Sequence, residues 1–284
     1  MTPGYTALRH GAAWLDLSSR GRIMARGRDV VRFLHNVSSN DVKKMAHGDQ
    51  CYAFLLTPQG RIVADFQLLC LPERFLIDTE PELREKVPQH ILKYKVADQV
   101  ELEDVTEQTV AIGVEGPAAP QIPYPPEEFR VAPWTVTGQP GYRIYSSPEA
   151  KADIIRYLES AGAVAATAED ARVVRIENGK PRYGEDISEA SLPQETGQMQ
   201  AVSFSKGCYI GQEIVERIRA RGHVNRHLVR VEMEGEEAPA AGWRVVGGRE
   251  VEITSAVYSP AMGKVVALGY VRGSAGAHGS TPSP

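Results

Sequence analysis

One thiol, Cys208, stands in Lys206-Gly207-Cys208-Tyr209-Ile210-Gly211-Gln212-Glu213, close after a lysine and flanked by glycines. A helical pattern follows at once. Ile214 and Ile218 lie four apart and share a helix face, with Glu213, Glu216, Arg217, Arg219 and Arg221 on the other side. Gly222 is a stop signal. The spacing predicts Cys208 at or just before a helix N-terminus, where free N–H groups and the helix dipole favour an anion. Lys206 adds a positive charge. Both effects lower a thiol pKa, and the thiolate is the reactive form. The other reading is a small buried hydrophobe, as most free cysteines are.

Two carboxylates also have chemical settings. Glu177 falls in Arg175-Ile176-Glu177-Asn178-Gly179-Lys180-Pro181-Arg182-Tyr183-Gly184-Glu185-Asp186-Ile187, at a predicted helix end followed by glycines and an aromatic. Such a carboxylate can accept two adjacent N–H groups at once from a heterocycle edge, or it is a solvated glutamate before a loop. Asp65 lies in the apolar stretch after the turn Thr57-Pro58-Gln59-Gly60. Burial there would raise its pKa and suit it to proton transfer, or it caps or pairs locally. Asn36 to Asp41 is a polar loop whose side chains bond their own backbone. Arg217, Arg219, Arg221, His223, Arg226, His227 and Arg230 form a basic run, either a solvated surface or a rim for carboxylates or an acidic partner.

These residues need elements to hold them. Asp29 precedes a short helix with apolar Val30, Val31, Phe33 and Leu34. Cys51 to Leu56 and Arg61 to Leu71 read as a hairpin, followed by a strand at Phe75 to Asp78. Pro81 to Tyr94 is helical, with Pro88 expected to interrupt it. Val100 to Val105, Thr109 to Val114, Phe129 to Val131 and Tyr142 to Tyr145 are strand-like. Helices are expected at Pro148 to Ala161 and Ala168 to Glu177, and a shaped functional loop at 178–205. Strands at Leu228 to Met233, Glu250 to Ile253 and Val265 to Val271 form a small all-β module.

The 284 residues suffice for a large core, and 42% hydrophobic with 24% charged residues marks an ordinary globular chain. A net charge of −4 argues against a stable nucleic-acid complex. Cys51, Cys70 and Cys208 form no C-x-x-C pair and no zinc spacing, so no metal site is expected, and sparse cysteines suit a reducing cytoplasm. No apolar run nears the ~20 residues of a membrane span, and the N-terminus does not read as a signal peptide. No G-x-G-x-x-G, P-loop or G-x-S-x-G is present.

The octapeptide resembles the K-G-C-[hydrophobic or aromatic]-x-G-Q-E signature of the YgfZ-type folate-binding proteins, relatives of the T-protein (aminomethyltransferase) of the glycine cleavage system. The likeness runs from about Tyr5 to Arg272. Arg175, Glu177, Gly179, Tyr183, Gly184 and Asp186 match R-x-E-x-G-x-x-x-Y-G-x-D, whose glutamate holds the pterin in T-protein relatives. Gly60 to Asp65 resembles G-[GR]-[IV]-[IL]-x-D, which carries an acidic pair in the transferases; here Ala64 takes the first position and Asp65 the second. Asn36 to Asp41 resembles a loop that packs near folate.

The resemblance implies an α+β, T-protein-like fold of interleaved subdomains around a central pocket. A body at 1–227, a β-barrel-like module at 228–273 and a disordered tail at 274–284 are expected. It implies tetrahydrofolate or a related reduced folate as cofactor. Glu177, Tyr183, Arg175, Asn36, Arg217 and Arg226 would bind it, and Cys208, Lys206 and Asp65 would carry the chemistry. YgfZ-type proteins serve assembly or repair of iron–sulfur clusters in client enzymes, some of which modify tRNA, so iron–sulfur client or assembly proteins are the expected partners. The second reading is an aminomethyltransferase moving a one-carbon unit to tetrahydrofolate, which needs no cysteine. The octapeptide and Ala64 favour the first.

Overall fold

A computed structural model describes residues 1–124, 130–222 and 224–273, the side chain of Arg221 excepted. Phe129, His223 and the tail 274–284 lie outside the described residues. The chain runs α1 (Pro3–His10), β1 (Ala13–Asp16), β2 (Gly21–Arg26), α2 (Val30–Val37), β3 (Gln50–Leu56), β4 (Ile62–Leu71) and β5 (Arg74–Thr79). Then come α3 (Lys86–Leu92), β6 (Glu101–Asp104), β7 (Val110–Glu115), β8 (Arg130–Ala132), β9 (Gly141–Ser146), α4 (Lys151–Ser160), β10 (Val164–Ala165) and α5 (Ala168–Glu177). The last third holds α6 (Pro193–Thr196), α7 (Gln212–Arg221), β11 (Arg226–Met233), β12 (Gly242–Val246), β13 (Arg249–Ser259) and β14 (Lys264–Arg272).

Three sheets result. The first orders β3-β4-β5-β2-β6, the second β10-β1-β7-β9-β8, and the third β11-β14-β13-β12. Sequence neighbours β1 and β2 enter different sheets, so the first two layers interleave, as the α+β expectation requires. Only β1–β10 pairs in parallel among the described strands. β4 is buried along almost its whole length, which explains its nearly unbroken apolar run. Asp65 is the exception within it, set opposite Phe54.

The helices follow their apolar spacing. On α2, Val30, Phe33, Leu34 and Val37 are buried at the i, i+3, i+4, i+7 interval. Asp29 precedes α2 without capping it; its carboxylate accepts from the Gln99 backbone N–H instead. Pro88 does not break α3, because it sits in the first turn, where its missing N–H has no helical partner to lose. On α7 the fully buried residue is Val215, while Ile214 and Ile218 are half-buried. Their spacing did mark the inner side, since Val215 is next to Ile214. Segment 178–211 folds back on the first sheet, placing Tyr183, Ile187, Val202 and Tyr209 in its core. In the C-terminal sheet β11 starts at Arg226, slightly before the expected start at 228, and β12 is an additional edge strand. Among the described residues no helix is long and apolar enough to cross a membrane.

Candidate functional site

A cavity of about 750 Å³ opens between the first two sheets. Trp14, Leu15 and Asp16 of β1, Tyr52 of β3, Asp65, Phe66 and Gln67 of β4 and Arg143 of β9 face it. The early turns of α5 and residues Lys180 to Arg182 close another side, and Gln198 and Gln200 add amides.

Asp65 is the buried carboxylate of this cavity, 9% exposed. The Tyr52 hydroxyl donates to its Oδ2 at 2.6 Å, and Thr79 Oγ1 donates to its backbone carbonyl at 2.7 Å. Burial, followed by the nearby charge of Glu80, pushes its pKa up to about 6. Burial and Asp65 push the Tyr52 phenol well above its ordinary value, so it stays a donor. Asp65, the retained half of the acidic pair, is therefore a buried carboxylate with a raised pKa. Ala64 is fully buried, and an acid there would have faced the core.

A charge lattice stiffens the adjoining wall. Arg20 Nε donates to Asp78 Oδ1 at 2.6 Å, Arg143 donates to Asp78 Oδ2 at 2.7 Å, and the Tyr145 hydroxyl donates to the same oxygen at 2.6 Å. Burial opposes the Asp78 charge, yet Arg143 and Arg20 hold its carboxyl below the usual range. Glu80 bridges Arg20 and Arg182, the latter at 3.0 Å. Two buried donors of the lining have no acceptor: the Trp14 indole N–H and the Arg143 Nε–H.

The predicted residues divide. Asp65 and Arg175 line the cavity. Arg175 acts as a clamp, donating to Asp186 at 2.6 Å, to Glu185 at 2.8 Å and to the Lys180 carbonyl at 2.7 Å. It fixes the Lys180–Arg182 wall.

Glu177 lies outside the cavity lining. It is 8% exposed and accepts from the hydroxyls of Tyr5 at 2.7 Å and Ser259 at 2.5 Å, with Arg9 at 3.5 Å. Those bonds, both to Oε1, join α1, α5 and the C-terminal sheet, while the buried Oε2 has no hydrogen-bond partner. Tyr183 is likewise internal; its hydroxyl donates to the Val63 carbonyl at 2.8 Å and holds β4. Asn36 is exposed on α2 and meets the octapeptide only through its carbonyl, which accepts from Ile210 at 3.4 Å. Arg217 is exposed on α7. Arg226 donates to Glu195 at 3.2 Å and stacks over Tyr270 at 4.3 Å, which fastens β11 to the preceding loop.

The octapeptide is also built differently from its prediction. Cys208 is exposed, and α7 begins only at Gln212, with Gly211 as the preceding left-handed residue. The thiol is thus several residues from the helix N-terminus. Lys206 turns inward, 8% exposed, and donates to the carbonyls of His35, Ser38 (2.6 Å) and Asn40 (2.9 Å). It caps the C-terminal end of α2, where a cation is favoured, and does not serve the thiol. Burial pushes the Lys206 amine down to about 8. Gly211 allows the close approach: a Cβ there would sit 2.6 Å from the Thr57 carbonyl oxygen. None of residues 206–211 lines the cavity.

Sequence reasoning missed Tyr52, Glu80, Arg20, Arg143, Lys180 and Arg182. The available signal was charge inside apolar strands, in Arg20-Gly21-Arg22-Ile23 and Ile77-Asp78-Thr79-Glu80. Charges rarely stay buried without partners, so such charges have to meet one another across the fold.

The N-terminal domain of the GCVT family matches residues 3–123, and the glycine cleavage T-protein C-terminal barrel domain matches residues 226–282. An aminomethyltransferase of Rubrobacter xylanophilus is 29% identical, covering 94% of this chain and 78% of that protein. One of Nostoc sp. is 27% identical, covering 95% and 80%. The crystal structure of the glycine cleavage system aminomethyltransferase T from Bartonella henselae superposes with a TM-score of 0.82 at 21% identity, covering 95% of this chain and 80% of that one. Proteins of the GCVT family bind tetrahydrofolate as substrate or cofactor.

Proposed function

From a chain that carries the N-terminal domain and the C-terminal barrel domain of the glycine cleavage T-protein in an aminomethyltransferase-like fold, we propose a tetrahydrofolate-dependent one-carbon transferase. The observation that carries this reading is Asp65, a buried carboxylate with a raised pKa facing a cavity of about 750 Å³. The lining suits a flat, polar-edged ring: Trp14 offers aromatic surface, and Gln67, Gln198 and Gln200 offer amides. Tetrahydrofolate supplies amine nitrogens that accept a one-carbon unit. As two folate nitrogens bond to the aminomethyl carbon, its bonds to the carrier sulfur and to its own amine nitrogen break. The two N–H protons lost by folate leave on the released thiol and ammonia. Asp65, with its pKa near 6, is mostly ionised at neutral pH and would take up one of those protons in transit. Tyr52 holds the carboxylate in place throughout. The arginine lattice keeps the neighbouring acids Asp78 and Glu80 ionised, so that Asp65 is the one of these three acids that changes protonation near neutral pH.

The test is aminomethyl transfer from a lipoylated carrier protein to tetrahydrofolate. Asp65→Asn should lower turnover by about 10²- to 10⁴-fold while folate affinity stays within a few-fold. Unchanged turnover would refute the role. A second reading rests on Cys208, which is exposed on a segment fixed by the three bonds of Lys206. In that reading the chain is a YgfZ-type folate-binding protein whose thiol serves iron–sulfur client enzymes. One thiolate cannot hold a cluster, which takes four ligands, so the thiol would act transiently. Loss of function for Cys208→Ala in complemented cells, with folate binding intact, supports it; full function contradicts it.

A further inference from the structure

The family pattern leaves the positions of Lys180, Pro181 and Arg182 open, yet all three side chains line the cavity. Arg182 is spent on Glu80 and Glu82. Lys180 is different. Its amine donates to the Thr135 carbonyl, and no described carboxylate lies within ion-pair distance of it. The charged groups that act on it are Glu115, Arg143, Arg20 and Glu80. Neither acid is available. Glu115 accepts from the Val136 and Thr137 N–H groups at 2.7 and 2.9 Å and from the Thr137 hydroxyl, and Glu80 is shared by Arg20 and Arg182.

Lys180 thus faces the cavity with unused donor capacity. An unpaired cation in a low-dielectric space is costly, and a ligand anion is what relieves it. The cost appears in Lys180 itself, whose amine burial pushes down to about 8. A carboxylate would accept from it in a short, charge-assisted bond.

We propose that Lys180 forms a subsite in this cavity for a ligand carboxylate. The proposal deepens the folate reading and rests on it for the identity of the chamber. The carboxylate comes either from a small co-substrate bound beside the folate ring or from the glutamyl tail of folate itself. In the first case the one-carbon donor is an anionic small molecule of the amino-acid or hydroxy-acid class.

The experiment is calorimetric titration of the full chain, its Lys180→Met variant and its Lys180→Arg variant. The probes are acetate and N-methylglycine, with acetamide as the uncharged control, and then tetrahydrofolate and a tetrahydropterin lacking the glutamyl tail. Titrations at pH 8 in two buffers of different ionisation heat report proton uptake. Saturable binding in wild type by a carboxylate probe or by tetrahydrofolate, at least tenfold weaker in Lys180→Met, largely kept in Lys180→Arg and accompanied by proton uptake in wild type, supports the subsite. A merely structural lysine would give no proton uptake. Weakening of acetate or N-methylglycine identifies a separate co-substrate. Weakening of tetrahydrofolate but not of the tailless pterin identifies the folate tail. If no probe carboxylate binds saturably, or if Lys180→Met binds acetate, N-methylglycine and tetrahydrofolate as wild type does, the subsite is overturned. If acetate binds through Lys180 while tetrahydrofolate does not bind wild type, the folate reading fails and the subsite stands.

Discussion

The cavity around Asp65 and the segment 206–211 hold their charged groups in opposite ways. In the cavity wall, acids and arginines from five strands or loops neutralise one another, and only Asp65 and Lys180 remain without a charge partner. In segment 206–211 the one buried charge, Lys206, is spent wholly on backbone carbonyls, and the thiol next to it faces solvent. Unpaired titratable groups inside a closed space suit proton transfer and ligand binding. A fully satisfied lysine suits fixing a loop. The contrast supports the proposed placing of the chemistry in the cavity, with a positioning task for Lys206.

The largest expected break in that contrast is Asp65→Asn. Turnover should fall about 10²- to 10⁴-fold, yet the variant should be more stable at pH 7 by about 2–3 kcal/mol, read by denaturant melts. The sign follows from the raised pKa. The wild-type protein is favoured by protonated Asp65 at low pH and loses that advantage as pH rises from about 4 through about 6. The stability difference between variant and wild type should therefore vanish below about pH 4. Next in size is Gly211→Ala. Its φ of 82° and the 2.6 Å approach to the Thr57 carbonyl should cost about 3 kcal/mol, with folate affinity of the folded protein unchanged. Glu177→Ala strands two buried hydroxyl donors and should lower stability by about 2 kcal/mol. Titration should find its folate affinity within twofold of wild type, and a tenfold loss would support the anchor reading. The smallest effect belongs to Cys208→Ala, an exposed site, where thermal melts should shift by less than about 0.5 kcal/mol.

Much of the fold was legible because periodicity reports burial. The hairpin β3–β4, the α2 face and the strands β11, β13 and β14 all follow from apolar patterning. Asp65 was legible for the same reason, since a lone acid inside an apolar strand has to be explained by function or pairing. The rest of the site was hidden because its members are far apart in sequence. Arg20 and Asp78 meet only when β2 pairs with β5, and Arg143 reaches them from a different sheet. For Glu177 a matching motif gives spacing but not direction, and its side chain is bonded to Tyr5 and Ser259. Lys206 misled because nearness in sequence to Cys208 says nothing of a long side chain that can turn inward to a helix end.

The most direct test of the cavity as the working site is calorimetric titration with tetrahydrofolate of the wild type, Ser19→Trp and Cys208→Ala. Ser19 is an exposed residue of the cavity lining, and an indole there would fill the opening. Wild type and Cys208→Ala should bind alike, and Ser19→Trp should bind at least tenfold more weakly. Equal binding by Ser19→Trp, or loss of binding in Cys208→Ala, would contradict the assignment of the chemistry to the cavity.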